Sequence, residues 1–262
     1  SLIAPLIGPV VGAFMIDHVS WHWGFIGIAL LATLSWFGLK AKMPEQHVSI
    51  PKQPLSYVWD DFKAVFRNKR FMALSLSLPL VSIPLILWIA MSPVILVEQL
   101  GLTNMQYGLA QVPVLGALIL GNIVLIRVID QLALGRTVML ALPLMLIGTL
   151  IVIAGVIWQE YMLWCLVLGM TLISFGEGCS FSVLYRFSLS ASEVSKGTVA
   201  AAVGMIMMVA FFVVIEIVRI LYGHFDMWAY ALACFALIAV WFTVPRSVVK
   251  SIMQERAMSG QF

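Results

Sequence analysis

The fold class predicted by this sequence is an all-α, polytopic membrane protein, and three observations predict it. Mean hydropathy is +1.05, with 62% of residues hydrophobic and only 10% charged, whereas soluble domains carry about 25% charged residues. Apolar runs of about 18 residues or more, enough to cross a bilayer core as a helix, recur along the whole chain. The short alternating segments of a transmembrane β-barrel do not appear.

Hydropathy places eight spans, at 1–17, 24–39, 71–97, 107–129, 137–158, 161–186, 197–222 and 227–245. Their connections are short except for 40–70, where the polar residues concentrate. Of the 15 Lys and Arg residues, 14 lie in that loop, in every second connection after it and in the tail; Arg219 alone lies on the opposite side. The positive-inside rule then makes the long loop and the C-terminus cytoplasmic. One missed span would scramble this segregation, so it also supports the count. The expected organisation is a two-helix piece at 1–39, a cytoplasmic linker at 40–70, a six-helix piece at 71–245 and a cytoplasmic tail at 246–262. Two sets of three spans in the six-helix piece would run in opposite orientations, the inverted-repeat plan of many transporters.

The first span opens with Ala4-Pro5-Leu6-Ile7-Gly8-Pro9-Val10-Val11-Gly12-Ala13. Gly8 and Gly12, four apart, leave a smooth strip on one face where another backbone can approach. Pro5 and Pro9 each remove a backbone donor and bend the helix. The helix reads as a packing surface or as a hinge between moving parts. Ser1 already stands in an apolar stretch with no leader before it, so the chain is expected to be part of a longer protein.

Between the first two spans, His18 and His22 have no third ligand nearby and read as interfacial histidines, not a metal site. Trp21, Trp23, Trp158, Tyr161, Trp164, Tyr222 and Trp228 gather at the outer connections as an aromatic belt. In the long loop, Leu55, Val58, Trp59, Phe62, Val65 and Phe66 follow helical spacing, which predicts an amphipathic helix on the inner membrane surface.

Span 71–97 holds Pro79, Pro84 and Pro93; span 107–129 holds Pro113, Gly116, Gly121 and Asn122. Interrupted helices of this kind point to a transporter's substrate site, or else to kinks needed only for packing. Two acids lie inside spans, where a charge is costly. Glu216 stands one turn before Arg219, so the two can form a structural ion pair. Glu177, between Gly176 and Gly178, has no basic residue within a turn. It is a candidate proton carrier or counter-charge for a cationic ligand. The alternative is a neutral acid bonded to backbone, Ser174 or Ser180. Met205, Met207, Met208, Phe211 and Phe212 crowd span 197–222, suiting either an adaptable apolar pocket or plain bundle core. The cysteines Cys165, Cys179 and Cys234 are far apart in apolar spans and read as buried thiols. No nucleotide loop, zinc motif or nucleophile elbow appears, so an enzyme is not expected.

The opening Ala4 to Gly12 resembles motif C of drug–proton antiporters in the major facilitator superfamily. Four segments, Leu2 to Ala13, Ser82 to Pro93, Tyr107 to Asn122 and Ser195 to Ile217, look like the MdfA-type multidrug–proton antiporters of bacterial inner membranes. The resemblance implies a major facilitator fold in which these eight helices are helices 5 to 12 of an expected twelve, with helices 1 to 4 missing. It implies that Ala4, Pro5, Leu85, Ile86, Ile89, Gly204 and Phe211 form part of a substrate cavity, and that Gly8, Pro9 and Gly12 belong to the seam between halves. Met207 stands where such antiporters lead us to expect glutamine, and Glu177 where an apolar residue is expected. The implied partners are small lipophilic drugs, protons and the lipid bilayer. No cofactor, metal or nucleic acid is expected, and the transporter is expected to be a monomer. Alternatives are another proton-coupled carrier of the superfamily, for a metabolite or sugar, or a non-transporting half-protein that needs a partner.

Overall fold

In the computed structural model the backbone is described for residues 3–18, 22–42, 55–128 and 135–258; side chains at 3–7, 16–17, 55–56 and 244–258 lie outside that description. The regular structure among these residues is entirely helical. Nine α-helices follow in order: α1 (Ile3–His18), α2 (His22–Lys42), α3 (Leu55–Arg67), α4 (Lys69–Ser92), α5 (Asn104–Val128), α6 (Arg136–Ile157), α7 (Met162–Ser190), α8 (Lys196–Phe225) and α9 (Met227–Met258). A π-helical segment, Pro93–Gln99, continues α4, and a single 3₁₀ turn, Gln159–Tyr161, precedes α7.

Six helices among the described residues are long and apolar enough to cross a membrane: α2, α4 with its π-helical end, α5, α6, α7 with its leading turn, and α8. The other two expected spans fall on α1, which has 16 residues, and on the shorter apolar stretch Met227–Thr243 of α9. The ends agree with the hydropathy reading to within a few residues except at α9. There the helix does not stop near 245 but runs on to Met258, because Pro245 and the polar residues after it do not break it. Residues 43–54 of the long loop, with Lys52, lie outside the described residues, as does Trp21.

The last six helices pack around α7, which lies against α4, α5, α6 and α8. Helix α9 closes the bundle against α4, α6 and α8. Phe71, Trp88, Tyr230 and Trp241 are fully buried in the resulting core. Helix α3 lies on α4 and α8, and α1 lies on α5. None of α2 is buried, so its apolar surface faces outward throughout.

Local chemistry sets the joints. Asn68 caps α4: its side-chain oxygen accepts from the Arg70 and Phe71 amides at 3.0 and 3.1 Å. The amide of the same side chain donates to the Ala191 carbonyl at 2.8 Å, which fastens the start of α4 to the end of α7. Ser195 caps α8 by accepting from the Thr198 amide at 3.2 Å. Pro93 ends the α-helical pattern of α4. Beyond it the Leu100 amide donates five residues back, to Ile95, at 3.1 Å.

The aromatic belt is exposed as expected at Trp23, Trp158, Tyr161, Trp164 and Trp228. Tyr222 departs from it. It is buried, and its hydroxyl donates to the Gln99 side chain at 2.6 Å, joining α8 to the π-helical segment.

Candidate functional site

Helix α1 meets α5 where α5 has no side chain. A Cβ built on Gly108 would stand 3.2 Å from the Ala13 Cβ, 3.2 Å from the Pro9 carbonyl oxygen and 3.3 Å from the Val10 Cα. The face turned to α5 is therefore that of Pro9, Val10 and Ala13. The expected strip of Gly8 and Gly12 does not make this contact, since a Cβ on either glycine meets nothing within 4 Å. At about 100° per residue, Gly8 and Gly12 stand a quarter-turn or so round the helix from Pro9 and Ala13. The small residue that admits the close approach lies on α5 instead. Beside the crossing is a hollow of about 340 Å³ bounded by Pro9, Gly12, Pro93, Glu98, Asn104 and Tyr107.

Three consecutive residues of α7 face three different helices. A Cβ on Gly176 would press on Met145 and lie 3.3 Å from the Ala141 carbonyl oxygen of α6. One on Gly178 would press on the Leu118 carbonyl of α5 and stand 3.1 Å from the Gly121 Cα. Between them Glu177 turns toward α4, where Ser82 is its neighbour; the Ser82 hydroxyl itself donates to the Leu78 carbonyl at 3.1 Å. The flanking glycines thus draw α5 and α6 so close that Glu177 is only 7% exposed. Among the described residues its Oε2 has no hydrogen-bond partner, and neither do the hydroxyls of Ser75, Ser174 and Ser180. Ser82 on another helix stands beside the carboxyl, whereas the hydroxyls of Ser174 and Ser180, the partners of the alternative reading, make no hydrogen bond among the described residues.

Gly121 has the same packing duty. Its Cβ would collide with the Phe175 carbonyl and sit 3.1 Å from the Gly178 Cα, while Cys179 donates its thiol to the Gly121 carbonyl at 3.4 Å. Helix α5 runs unbroken through Gly121, whose missing side chain serves close packing of α5 on α7. The alternative of a kink or gap made only for packing therefore describes Gly121 well.

Of the expected cavity residues, the side chains of Ala4 and Pro5 lie outside the described residues. Leu85 is turned into the core at 4% exposed, because α4 is wrapped there by α7, α8 and α9. One turn on, Ile89 is 49% exposed, and Ile86 is half-buried. Met207 and Phe211 pack partly against the core from α8, and Gly204 leaves open space at its missing Cβ. Ile86, Ile89, Gly204, Met207 and Phe211 thus retain surface on α4 and α8, which pack on each other. Near the far end of α8, Arg219 donates twice to the same Glu216 oxygen, from Nε at 3.1 Å and from Nη2 at 2.7 Å.

A polar chain that hydropathy did not single out lies close to the α1 crossing. Trp88 Nε1 donates to the Gln111 side-chain oxygen at 2.6 Å, and the Gln111 amide donates to Ser92 at 3.1 Å. All three residues are buried, and they tie α4 to α5 just before Pro93. The available signal was an amide inside an apolar span, which has to find a partner.

Comparison with known proteins gives a match of residues 1–215 to the sequence profile of the Major Facilitator Superfamily. The chloramphenicol resistance protein CraA of Acinetobacter baumannii is 65% identical over 256 residues, which cover 98% of this chain and 62% of that protein. The multidrug transporter MdfA of Yersinia pestis bv. Antiqua is 38% identical over 224 residues, covering 85% of this chain and 54% of that one. MdfA of Escherichia coli O6:H1 is 40% identical over 218 residues, covering 83% and 53%. The chain therefore spans between about half and two-thirds of the length of these relatives.

Proposed function

The chain belongs to the major facilitator superfamily, and from that premise we propose that it forms part of a secondary transporter exporting lipophilic drugs in exchange for protons. The observation that carries the proposal is 65% identity to a chloramphenicol resistance protein along 98% of the chain. Chloramphenicol is a neutral, lipophilic molecule, and the 38–40% identity to multidrug transporters argues for a wider range, which we take to include cations. The transporter would be a monomer in a bacterial inner membrane with its C-terminus in the cytoplasm, the side favoured by the Lys and Arg distribution.

In this reading the halves of the transporter rock about a cavity near the bilayer midplane, open to one side at a time. The contact of α1 with α5 at Gly108 is the seam along which they move, because interdigitated side chains are missing there. Ile86, Ile89, Met207 and Phe211 supply apolar wall to the cavity. Glu177 is a proton or cation acid, buried on α7 with one carboxyl oxygen that has no hydrogen-bond partner among the described residues. The Glu216–Arg219 pair is structural. Helices 1 to 4 of the transporter complete the cavity and carry the principal coupling acids. The largely apolar candidate wall favours drugs over sugars, whose hydroxyls call for several polar partners.

The test is reconstitution. Expressed alone, the chain should give no proton-dependent ethidium efflux; supplied with the N-terminal part of CraA as a separate polypeptide, it should recover efflux. Efflux from the chain alone would refute its incompleteness, and no efflux from either would count against drug export.

A further inference from the structure

We propose that the groove between α3 and α8 is a binding site for an anionic phospholipid. The groove has a volume of about 570 Å³ and is walled by Val58, Trp59, Phe62 and Phe66 of α3 and by Met205 of α8. Its only charged lining residues are Lys63 and Arg67.

The sequence of α3 explains how the groove arises. Val65 is completely buried and anchors the helix to the bundle, and Phe62 packs beside it. Phe62 and Phe66, one turn apart, stack at 6.4 Å between ring centroids and make a continuous aromatic wall. Trp59 extends the wall outward and is 64% exposed. Met205 forms the facing wall with a long, flexible side chain that adapts to a chain of varying shape. So much uncovered aromatic surface fits an apolar ligand and not bulk water. A lipid acyl chain fits both the apolar wall and its place beside a membrane-spanning helix.

Charge chooses the headgroup. Lys63 and Arg67 are four apart and so project from the same side of α3 at the groove. Lys63 is 3.6 Å from Asp60 and 5.8 Å from the Trp59 ring centroid, but the Asp60 contact is between exposed side chains and is weak. Arg67 has no salt bridge among the described residues, and its guanidinium is built to fork a phosphate. Both lie on the side where Lys and Arg accumulate, so the lipid belongs to the cytoplasmic leaflet, where basic groups on amphipathic helices attract anionic headgroups. A zwitterionic lipid would satisfy the apolar wall but would bring its own cation against the two already there.

The experiment uses the full chain in nanodiscs containing phosphatidylglycerol with a photoactivatable acyl chain, compared with phosphatidylcholine carrying the same chain. Labelled peptides are then mapped. Phosphatidylglycerol should label Val58 to Phe66 and Met205 roughly thirtyfold more than phosphatidylcholine, the factor expected of two cations near an anionic surface. The K63Q/R67Q double variant should bring the two lipids level there while labelling elsewhere is unchanged. Met205→Trp, which fills the groove and keeps both charges, should lower labelling by both lipids. Equal labelling of the native chain by the two lipids overturns the proposal. So does occupation of the groove by residues 43–54 or by a second copy, seen as a protein crosslink to Phe62 in place of a lipid adduct.

Discussion

Trp88 and Gln111 form a buried hydrogen bond of 2.6 Å that links α4 to α5, and Gln111 passes it on to Ser92. In hydrocarbon an unpaired indole N–H cannot turn to water, so the pair is worth most when both partners are present. Gln111→Leu should cost about 1–3 kcal/mol of stability and lower the thermal midpoint in detergent. The W88F/Q111L double variant should lose less than the sum of the two single losses. Strict additivity would show that the two residues act independently.

At the α1–α5 crossing, Gly108→Leu puts a branched side chain where even a Cβ already stands 3.2 Å from Pro9 and Ala13. The bundle of α4 to α9 does not depend on this contact. In the full-length transporter of the proposed function, the variant should therefore accumulate in the membrane at a normal level while drug export falls at least tenfold. Normal export would remove the seam from the mechanism.

Between α5 and α7 the same reasoning gives a different phenotype. Gly178→Val overlaps the Leu118 backbone and crowds Gly121, so it should destabilise by about 1–3 kcal/mol or more. The expected result is loss of folded protein, read as a lower thermal midpoint and reduced membrane yield. An unchanged midpoint would mean that the two helices can separate at little cost.

Glu177→Gln keeps the shape of the side chain and removes its ability to carry a charge. If the acid is a counter-charge for cations, export of ethidium should fall several-fold more than export of chloramphenicol, measured in the full-length transporter; a proton carrier would lower both. Unchanged export of both drugs would leave Glu177 as a structural acid.

The helices were legible because the membrane forces them to be: a hydrocarbon core imposes length and hydropathy on each span, and the Lys and Arg distribution fixes their alternation. What spacing along one helix could not supply was direction around it. Gly8 and Gly12 share a face in any helix, yet α5 settles on the neighbouring face of Pro9 and Ala13. Ser174 and Ser180 are near Glu177 in sequence, yet neither bonds it among the described residues, and the hydroxyl that α4 places beside it is that of Ser82. Leu85 and Ile89 lie one turn apart on similar headings, but only the latter stands where α4 leaves its neighbours. In each case the answer belongs to a second helix, and no period in the first one encodes it. The Glu216–Arg219 pair was readable because both partners belong to one helix.

The π-helical segment Pro93–Gln99 has a consequence for comparing this chain with its relatives. A π turn holds one more residue than the α turn it replaces, so positions beyond Ser92 are out of phase with those before it. Counting in steps of three or four from the N-terminal end of α4 would assign the wrong azimuth to Val97, Glu98 and Gln99. The Tyr222–Gln99 bond exists only in that shifted phase. Deleting one residue between Pro93 and Val97 would restore an ordinary helix and leave Gln99 facing Tyr222, whereas winding all seven residues of the segment as α-helix would swing Gln99 away by roughly the 100° that separates helical neighbours. In a relative of different length here, gap placement would decide which side chain faces α8, even where every aligned residue is identical.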